Sequence, residues 1–203
     1  MSDKLKVILV DDDDDVLKTL GMLFRSAGFE VTSYNNAKDF LQSPMVEEDT
    51  ALVLDLRMPH VSGLEVLSEL KRRNSSLPVI VHSSHADVEA TVRVFEDGAY
   101  TLVQKPASKN ILIDKVREAI VKHRETNKHS AASREAKQRL ERLSPREKEI
   151  AQWISEGKSA REIGEKIHLS ARTVETHRQN IFRKAEVKSS AEIARLLTLS
   201  ELD

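Results

Sequence analysis

The segment Ala51–Gly63 reads ALVLDLRMPHVSG, and it decides the fold of the first half of this 203-residue chain. Its first four residues are apolar, and a continuous apolar run of this kind predicts a strand that is buried on both faces. Asp55 follows the run directly, and Ser62 with Glu65 then forms the S-x-x-E pattern of a helix start. The segment therefore predicts a buried strand with an acidic end, followed by a helix.

Further apolar runs flank this segment and alternate with stretches of helical spacing. The runs are Val7–Val10, a weaker Phe29–Ser33, Val79–Val81 and Leu102–Val103. Apolar residues three or four apart predict helices that contain Val16–Phe24, Leu64–Leu70, Val88–Phe95 and Ile111–Ile120. Strands and helices that alternate in this way predict an α/β fold, with a parallel sheet covered by helices on both faces.

Composition excludes several classes of protein. The chain has no cysteine, so disulfides and zinc–thiolate sites are ruled out. No apolar run approaches the roughly 20 residues that crossing a bilayer requires, and no apolar signal segment precedes the first strand. We therefore expect a soluble, cytoplasmic protein that does not contact a membrane.

Charge is distributed unevenly along the chain. Residues 1–124 carry 16 Lys and Arg against 20 Asp and Glu, a net charge of −4, whereas residues 125–203 carry 16 against 13, a net charge of +3. Because nucleic acid attracts basic surfaces, a nucleic-acid partner is expected to meet the C-terminal part.

Charged residues follow three of the predicted strands. Asp11 and Asp12 end the first strand, Asp55 ends the third, and Lys105 ends the last. In a parallel α/β sheet, ligands bind at the carboxyl ends of the strands, so these side chains are expected to converge. Clustered carboxylates repel one another, and a hard divalent cation offsets that repulsion. We therefore predict a Mg²⁺ site formed by Asp11, Asp12 and Asp55.

Such a site also suits phosphoryl transfer. Asp55 would act as the nucleophile and form an acyl phosphate. Lys105 would neutralise a phosphoryl oxygen, and the hydroxyl of Ser83, just after the fourth apolar run, would donate to another. Four features follow four different strands in this order: the acidic pair, the single aspartate, the serine and the Lys-Pro pair. Their combination is a more specific signal for a phosphoryl-transfer site than any one of them.

These residues resemble the receiver domain of bacterial two-component response regulators. The matching motifs are Val10–Asp12, Leu54–Pro59 followed by Gly63, Ser83, and Lys105–Pro106. For residues 1–123 the resemblance implies a flavodoxin-like (βα)5 fold, Mg²⁺ dependence and a phosphoryl group received from a sensor histidine kinase. It also implies a cis peptide bond before Pro106.

The match departs from the receiver pattern at one position. Receivers commonly carry Tyr or Phe two residues before the lysine, whereas this chain has Val103 there, or Leu102 if the alignment slips by one residue. Tyr100 is the nearest aromatic residue, so an aromatic switch is expected to be muted or replaced. His82 and His85 are expected to be packing or surface residues rather than ligands, and His85 is also a candidate for modulating the lifetime of the phosphate.

The chain changes character after the last α/β unit. Residues 124–142 are polar and rich in Lys, Arg, Glu and Ala, which favours a helical linker that continues the last receiver helix, with a solvated tether as the alternative. Residues 143–203 predict four short helices. Their N-caps are Ser144, Ser159, Ser170 and Ser189, and three of them begin S-x-x-E patterns.

The helix after Ser170 has two unlike faces. One face carries Val174, Ile181 and Ala185 and is expected to pack on the preceding helices. The polar face suits the major groove of DNA, and the predicted base-reading residues are Glu175, Thr176 and Gln179. The predicted contacts with DNA phosphates are Lys158, Arg172, Thr173, Arg183 and Lys184. With the supporting helix over Ser159–His168, this is a helix-turn-helix arrangement.

This part of the chain resembles the LuxR-type helix-turn-helix of NarL/FixJ regulators. The matching stretches include Leu143–Glu147, Gly157–Ser159 and Thr173–Glu175. Gly164 replaces the usual Ala and is expected to loosen the supporting helix by up to about 1 kcal/mol. Ala185 replaces a common Leu and predicts a smaller core.

The residues together predict a transcriptional regulator. A kinase would phosphorylate Asp55, two receivers would pair through residues 86–122, and two heads would bind double-stranded DNA; RNA polymerase is allowed as a further partner. One alternative is a DNA-binding regulator that works without phosphorylation, and another is a protein-interaction module. A phosphatase of the haloacid dehalogenase type would need a second carboxylate two residues after Asp55, where this chain has Arg57.

Overall fold

The computed structural model describes residues 4–44, 48–84 and 88–201. The chain divides into two compact units, residues 1–125 and residues 126–203. In the described part of the chain, no helix is long and apolar enough to cross a membrane.

The first unit is built on a five-stranded sheet. Its strands are β1 (Lys6–Val10), β2 (Glu30–Tyr34), β3 (Thr50–Leu54), β4 (Val79–Ser83) and β5 (Thr101–Gln104). All neighbouring strands are parallel, in the order β2-β1-β3-β4-β5. This confirms the flavodoxin-like α/β fold. Each predicted strand is present, and the structure lengthens four of them by one or two residues.

Helices cover both faces of the sheet and close two apolar cores. They are α1 (Asp14–Ser26), α2 (Ala37–Gln42), α3 (Gly63–Arg72), α4 (Val88–Glu96) and the first part of α5 (Lys109–Glu141). Phe40, Leu67 and Val94 represent the core that α2, α3 and α4 form with one face. Phe24 and Ile120 represent the core that α1 and α5 form with the other.

The helix α2 was not among the predicted elements. It has six residues, which is too short for a spacing of 3.6 to repeat. Its start nevertheless has a signal in the sequence, which is the asparagine at position 36. In the structure, the side chain of Asn36 accepts a hydrogen bond from the N–H of Asp39. Asn is a favoured residue at this capping position.

The helix α5 is 33 residues long and contributes to a core in each unit. Leu112 and Ile120 belong to the core of the first unit, and Ala136 and Leu140 belong to that of the second. Residues 124–141 are therefore helical, as their composition favoured. The predicted domain boundaries stay predictions.

Among its described residues, 126–201, the second unit contains four further helices, as predicted. They are α6 (Pro145–Ser155), α7 (Ala160–Ile167), α8 (Ala171–Ala185) and α9 (Ser190–Glu201). Both Ser144 with Glu147 and Ser159 with Glu162 form complete capping boxes. These helices pack on a shared core with the end of α5, and Ala185 is fully buried in it.

Gly164 allows a close approach rather than leaving space. A Cβ atom at this position would lie 2.5 Å from the carbonyl oxygen of Leu169, in the turn between α7 and α8. The N–H of Leu169 also donates to the carbonyl of Gly164 over 3.0 Å. The expected loosening of α7 is therefore offset by a turn that packs more closely than an alanine would allow.

Candidate functional site

The carboxyl end of β3 places Asp55 at the floor of a polar site. The residue is 7% exposed, and its Oδ2 accepts a hydrogen bond of 2.9 Å from the N–H of Arg57. That bond fixes the rotation of the carboxylate and leaves Oδ1 facing Lys105, whose Nζ lies 3.0 Å away. The predicted phospho-acceptor is therefore buried and oriented.

Lys105 joins two strand ends that are distant in sequence. Its Nζ lies 2.6 Å from Oδ2 of Asp11 as well as 3.0 Å from Oδ1 of Asp55. Asp11 is 5% exposed, and its Oδ1 accepts from the N–H of Asp13. The site thus has two buried carboxylates that share one ammonium group.

The pKa values follow from this balance. Burial raises the pKa of Asp55 and the neighbouring Asp11 adds to the rise, whereas the hydrogen bond from Lys105 opposes it. Burial alone would lower the pKa of Lys105, but its hydrogen bonds to Asp11 and Asp55 outweigh burial and raise it. Lys105 is therefore held as a cation beside both carboxylates.

The aspartates at positions 11–15 have different structural roles. Asp12 is exposed, whereas Asp13 caps α1 by accepting from the N–H groups of Asp15 and Val16. Asp14 and Asp15 fall in the first turn of α1, where negative charge is favourable. The capping role of Asp13 was missed, although an aspartate before a helical pattern is its usual signal.

The structure brings together two of the three predicted metal ligands. Asp11 and Asp55 converge on Lys105, but within residues 4–44, 48–84 and 88–201 no three acidic or histidine side chains are grouped as metal ligands would be. The two buried carboxylates still offer the hard oxygen donors that Mg²⁺ prefers. The donor set fits this ion, and the exposed Asp12 lies outside the cluster.

Ser83 and Pro106 lie where the sequence predicted. Ser83 is the last residue of β4 and is 1% exposed, and its carbonyl accepts from the N–H of Lys105 over 2.9 Å. The Lys105–Pro106 peptide bond is cis, as the resemblance implied.

Gly63 allows α3 to begin directly against the acceptor segment. A Cβ atom there would lie 2.3 Å from the carbonyl oxygen of Asp55 and 2.7 Å from the Cα of Leu56. The N–H of Gly63 donates to the carbonyl of Leu56 over 3.0 Å. The glycine in the quoted segment is therefore required by the backbone that carries Asp55.

His82 is a buried residue of β4, as expected. It is 7% exposed, and its Nδ1 has no hydrogen-bond partner among the described residues. Burial and the nearby Lys105 lower the pKa of His82 to about 4, so its ring is neutral at neutral pH. It borders a cavity of about 410 Å³ whose lining includes Val16, Leu20, Leu23, Pro106 and Leu112. His85 lies outside the described residues.

Tyr100, the aromatic residue nearest to Lys105 in the sequence, contacts α5. The hydroxyl of Tyr100 donates to Oε1 of Glu118 on α5 over 2.8 Å, and the ammonium of Lys122 lies 5.5 Å from the ring centre. Val103 is buried in the core beside α1 and α5, and Leu102 packs on the opposite core. No aromatic side chain occupies either candidate switch position.

The predicted DNA-reading face of α8 is accessible. Glu175, Thr176 and Gln179 are exposed, whereas Val174 and Ile181 are fully buried on the other side of the helix. The hydroxyl of Thr176 donates to the carbonyl of Arg172 over 3.1 Å.

The predicted phosphate contacts fall into two groups. Arg172, Thr173 and Arg183 are exposed on α8, while Lys158 precedes α7 and lies 3.6 Å from Glu156. Lys184 differs from them, because its Nζ donates to both carboxylate oxygens of the buried Glu147. Its charge is already paired within the protein.

Comparison with known proteins assigns both units to families. Residues 7–117 match the response regulator receiver domain, and residues 141–197 match the luxR family of bacterial regulatory proteins. The chain therefore belongs to the response regulators, with a receiver domain followed by a luxR-type helix-turn-helix DNA-binding domain.

Similar proteins match nearly the whole length of this chain. Nodulation protein W of Bradyrhizobium diazoefficiens is 33% identical over 96% of this chain and 86% of its own length. The transcriptional regulatory protein FixJ of Azorhizobium caulinodans is also 33% identical, over 98% and 95%. Among solved structures, the response regulator StyR is 32% identical with a TM-score of 0.81, covering 96% of this chain and 98% of that one.

Proposed function

We propose that this protein is a phosphorylation-dependent transcriptional regulator. A sensor histidine kinase supplies a phosphoryl group to Asp55, two phosphorylated copies pair, and the paired heads bind promoter DNA. The observation that carries the proposal is the buried carboxylate of Asp55, oriented by the Arg57 N–H and 3.0 Å from the ammonium of Lys105. It lies in a chain that also holds a luxR-type DNA-binding domain.

The chemistry is a transfer between two nucleophiles. An oxygen of Asp55 attacks the phosphorus of a phosphohistidine, the O–P bond forms as the P–N bond breaks, and the imidazole leaves with the electron pair and takes up a proton. The product is an acyl phosphate. Lys105 offsets the charge that develops on the phosphoryl oxygens, and the buried Ser83 supplies a hydroxyl to one of them.

Asp11 and Asp55 would hold Mg²⁺ at this site, with the exposed Asp12 as a further carboxylate from the same strand end. When bound, the ion supplies positive charge that offsets the repulsion between the carboxylates and the incoming phosphoryl group. Lys105 provides a further positive charge beside the two buried carboxylates.

Pairing of two copies is supported by an exposed apolar stripe on α4. Val88, Val92 and Phe95 are 82%, 50% and 49% exposed, and their spacing of four and three residues places them on one side of the helix. Large apolar side chains that recur on one exposed face mark interaction surfaces. We propose this stripe as part of the surface on which phosphorylated receivers meet.

Binding to DNA is supported by the exposed polar face of α8. Glu175, Thr176 and Gln179 are the proposed base-reading residues, while Lys158, Arg172, Thr173 and Arg183 are the proposed phosphate contacts. Two heads in a pair would read two half-sites about one turn of DNA apart.

A labelling experiment tests the phosphorylation step. Incubation of the full chain with acetyl phosphate and Mg²⁺ is expected to add one phosphoryl group, which intact mass measurement detects. Hydroxylamine should remove this group, as it does from an acyl phosphate. Asp55→Asn abolishes the addition, whereas Asp39→Asn, an exposed aspartate of α2, leaves it unchanged. Absence of labelling in the wild type, together with DNA binding, would favour the phosphorylation-independent regulator.

A turnover assay with small phosphate esters, run beside the labelling, separates the proposal from a phosphatase. Sustained turnover of small phosphate esters would indicate an enzyme that uses Asp55 as its nucleophile. Arg57 stands at the position where such an enzyme needs a second carboxylate, and in this protein its N–H serves to orient Asp55. Single labelling without turnover is therefore the expected result.

A further inference from the structure

The first turn of α6 contacts both helices of the helix-turn-helix. Nη2 of Arg146 donates to the carbonyl of Ile167, the last residue of α7, over 3.1 Å. The next residue, Glu147, accepts two hydrogen bonds from Nζ of Lys184 on α8, over 2.9 and 2.7 Å. Two adjacent side chains thus reach the end of α7 and the end of α8.

Glu147 has a fixed position. It is 6% exposed, and its Oε2 also accepts from the N–H of Ser144 over 2.8 Å in the capping box of α6. One carboxylate therefore caps α6 and pairs with α8. A buried carboxylate of this kind is tolerated because both partners are present.

Lys184 lies on the side of α8 that faces away from Glu175 and Gln179, two of the three proposed base-reading residues. At about 100° per residue, it is rotated by about 180° from Glu175, about 140° from Gln179 and about 80° from Thr176. It also follows Ile181, which is fully buried, by three residues. The pairing with Glu147 is thus a contact on the inner side of α8.

The two ends of α8 are held in different ways. At its start, the turn packs closely on Gly164, and His168 adopts a left-handed conformation with φ of 57°. From Ser170 to Lys184 the helix rises by about 20 Å. A small rotation at the turn would displace the far end of α8 by several ångströms. The buried side chains of Ile181 and Ala185 resist this displacement, and the pairing of Lys184 with Glu147 adds a polar contact at the same end.

We infer that Arg146, Glu147 and Lys184 form a clamp that positions α8 for reading DNA bases, and that Lys184 does not contact a DNA phosphate. The inference rests on the proposed DNA-binding function. In this inference the clamp residues do not contact DNA. They hold α8 in a fixed position against α6 and α7, so that the exposed face of α8 can enter the major groove. A base-reading helix depends on such placement, because hydrogen bonds to base edges tolerate little displacement.

The test compares two duplexes and several variants of the full chain. One duplex is selected from a random library by the wild-type protein treated with beryllofluoride, and the other is a scrambled duplex of the same length. The variants are Glu147→Gln, Lys184→Gln, Lys184→Arg and the double variant Glu147→Gln/Lys184→Gln. Lys148→Gln, an exposed neighbour on α6, is the control with the same loss of charge.

The clamp predicts a loss of specificity without loss of a phosphate contact. Glu147→Gln and Lys184→Gln are each expected to reduce the preference for the selected duplex at least about fivefold. The slope of log Kd against the logarithm of the salt concentration stays unchanged in these variants. The double variant loses no more of the preference than either single variant does. Lys184→Arg retains the preference of the wild type. Lys148→Gln has no effect on the preference.

Two results would overturn the inference. If Lys184→Gln weakens both duplexes equally and lowers the salt slope by about 0.9, Lys184 contacts a phosphate and the clamp fails while DNA binding stands. If the wild type selects no duplex, the proposed DNA binding fails and the clamp fails with it. Circular dichroism verifies that each variant is folded, and Lys184→Arg against Lys184→Gln decides the question if Glu147→Gln does not fold.

Discussion

Nζ of Lys105 lies 3.0 Å from Oδ1 of Asp55. Asp55 is 7% exposed, and Lys105 is half-buried. The same ammonium also lies 2.6 Å from Asp11. A cation shared by two buried carboxylates leaves a net charge of −1 at the site. An arriving phosphoryl group would therefore change the partners of Lys105, which provides a physical means of sensing phosphorylation.

Removing this cation is expected to destabilise the receiver. Lys105→Met leaves two buried carboxylates without their partner, and the loss of one member of a buried ion pair costs about 3–5 kcal/mol. Urea unfolding of the full chain measures the change in the free energy of unfolding. Lys18→Met on α1, whose pair with Asp15 is exposed, is the matched control and should change it by less than about 0.5 kcal/mol. Equal effects of the two substitutions would contradict the importance of the shared cation.

Gly63 is expected to be intolerant of a side chain. In Gly63→Ala, the new Cβ would meet the backbone of Asp55 and Leu56, so the acceptor segment must shift; we expect a loss of about 1–3 kcal/mol and slower labelling of Asp55. Gly21→Ala is the control. There the three atoms nearest to the Cβ belong to the end of the Arg25 side chain, which can rotate away, and alanine within α1 is expected to stabilise the protein by up to about 1 kcal/mol. Thermal unfolding and the rate of phosphorylation of both variants test this contrast.

The buried hydroxyl of Ser133 on α5 is expected to lower the free energy of unfolding. Its hydroxyl is buried and has no hydrogen-bond partner among the described residues, and burial of an unpaired hydroxyl is unfavourable by about 1–3 kcal/mol. Ser133→Ala should therefore raise the free energy of unfolding by about 1 kcal/mol. Ser155→Ala removes an exposed hydroxyl that donates to Gln152 and should leave stability unchanged within about 0.5 kcal/mol. A destabilised Ser133→Ala variant would show that this hydroxyl has a partner.

The clamp of the DNA-binding domain predicts a pH dependence of stability. The hydrogen bond from Lys184 lowers the pKa of Glu147 below its ordinary value of 4.5, so the folded state binds this proton less tightly than the unfolded state. The stabilisation is therefore present above pH 4.5 and is lost as the pH falls through the lowered pKa. The difference in unfolding free energy between the wild type and Glu147→Gln should be largest at neutral pH and shrink below pH 4.5. A difference that grows as the pH falls would contradict the pairing.

Much of the receiver could be predicted because its signals are local. The apolar run Ala51–Leu54 and the aspartate after it are adjacent in sequence, and parallel strands bring their carboxyl ends together. The sharing of Lys105 by Asp11 and Asp55 could be anticipated only as convergence, since the hydrogen-bonded pair Lys105–Asp11 spans 94 residues. Its geometry depends on the packing of the whole sheet.

The DNA-binding domain shows what reasoning from a single helix leaves out. Lys184 was assigned to phosphate because it is a cation near the end of a polar helix, and such reasoning sees only one helix at a time. Its partner Glu147 is 37 residues away and was recognised only as a capping residue. Burial of that carboxylate, which the sequence pattern did not indicate, gives Lys184 its intramolecular partner.

The most direct measurement is the affinity of the full chain for its selected duplex, at one fixed salt concentration, with and without beryllofluoride and Mg²⁺. Phosphorylation-dependent control predicts at least about tenfold tighter binding with the phosphate mimic, with pairing of two copies, and no change for Asp55→Asn. Equal affinity and equal oligomeric state of the wild type in both conditions would contradict it.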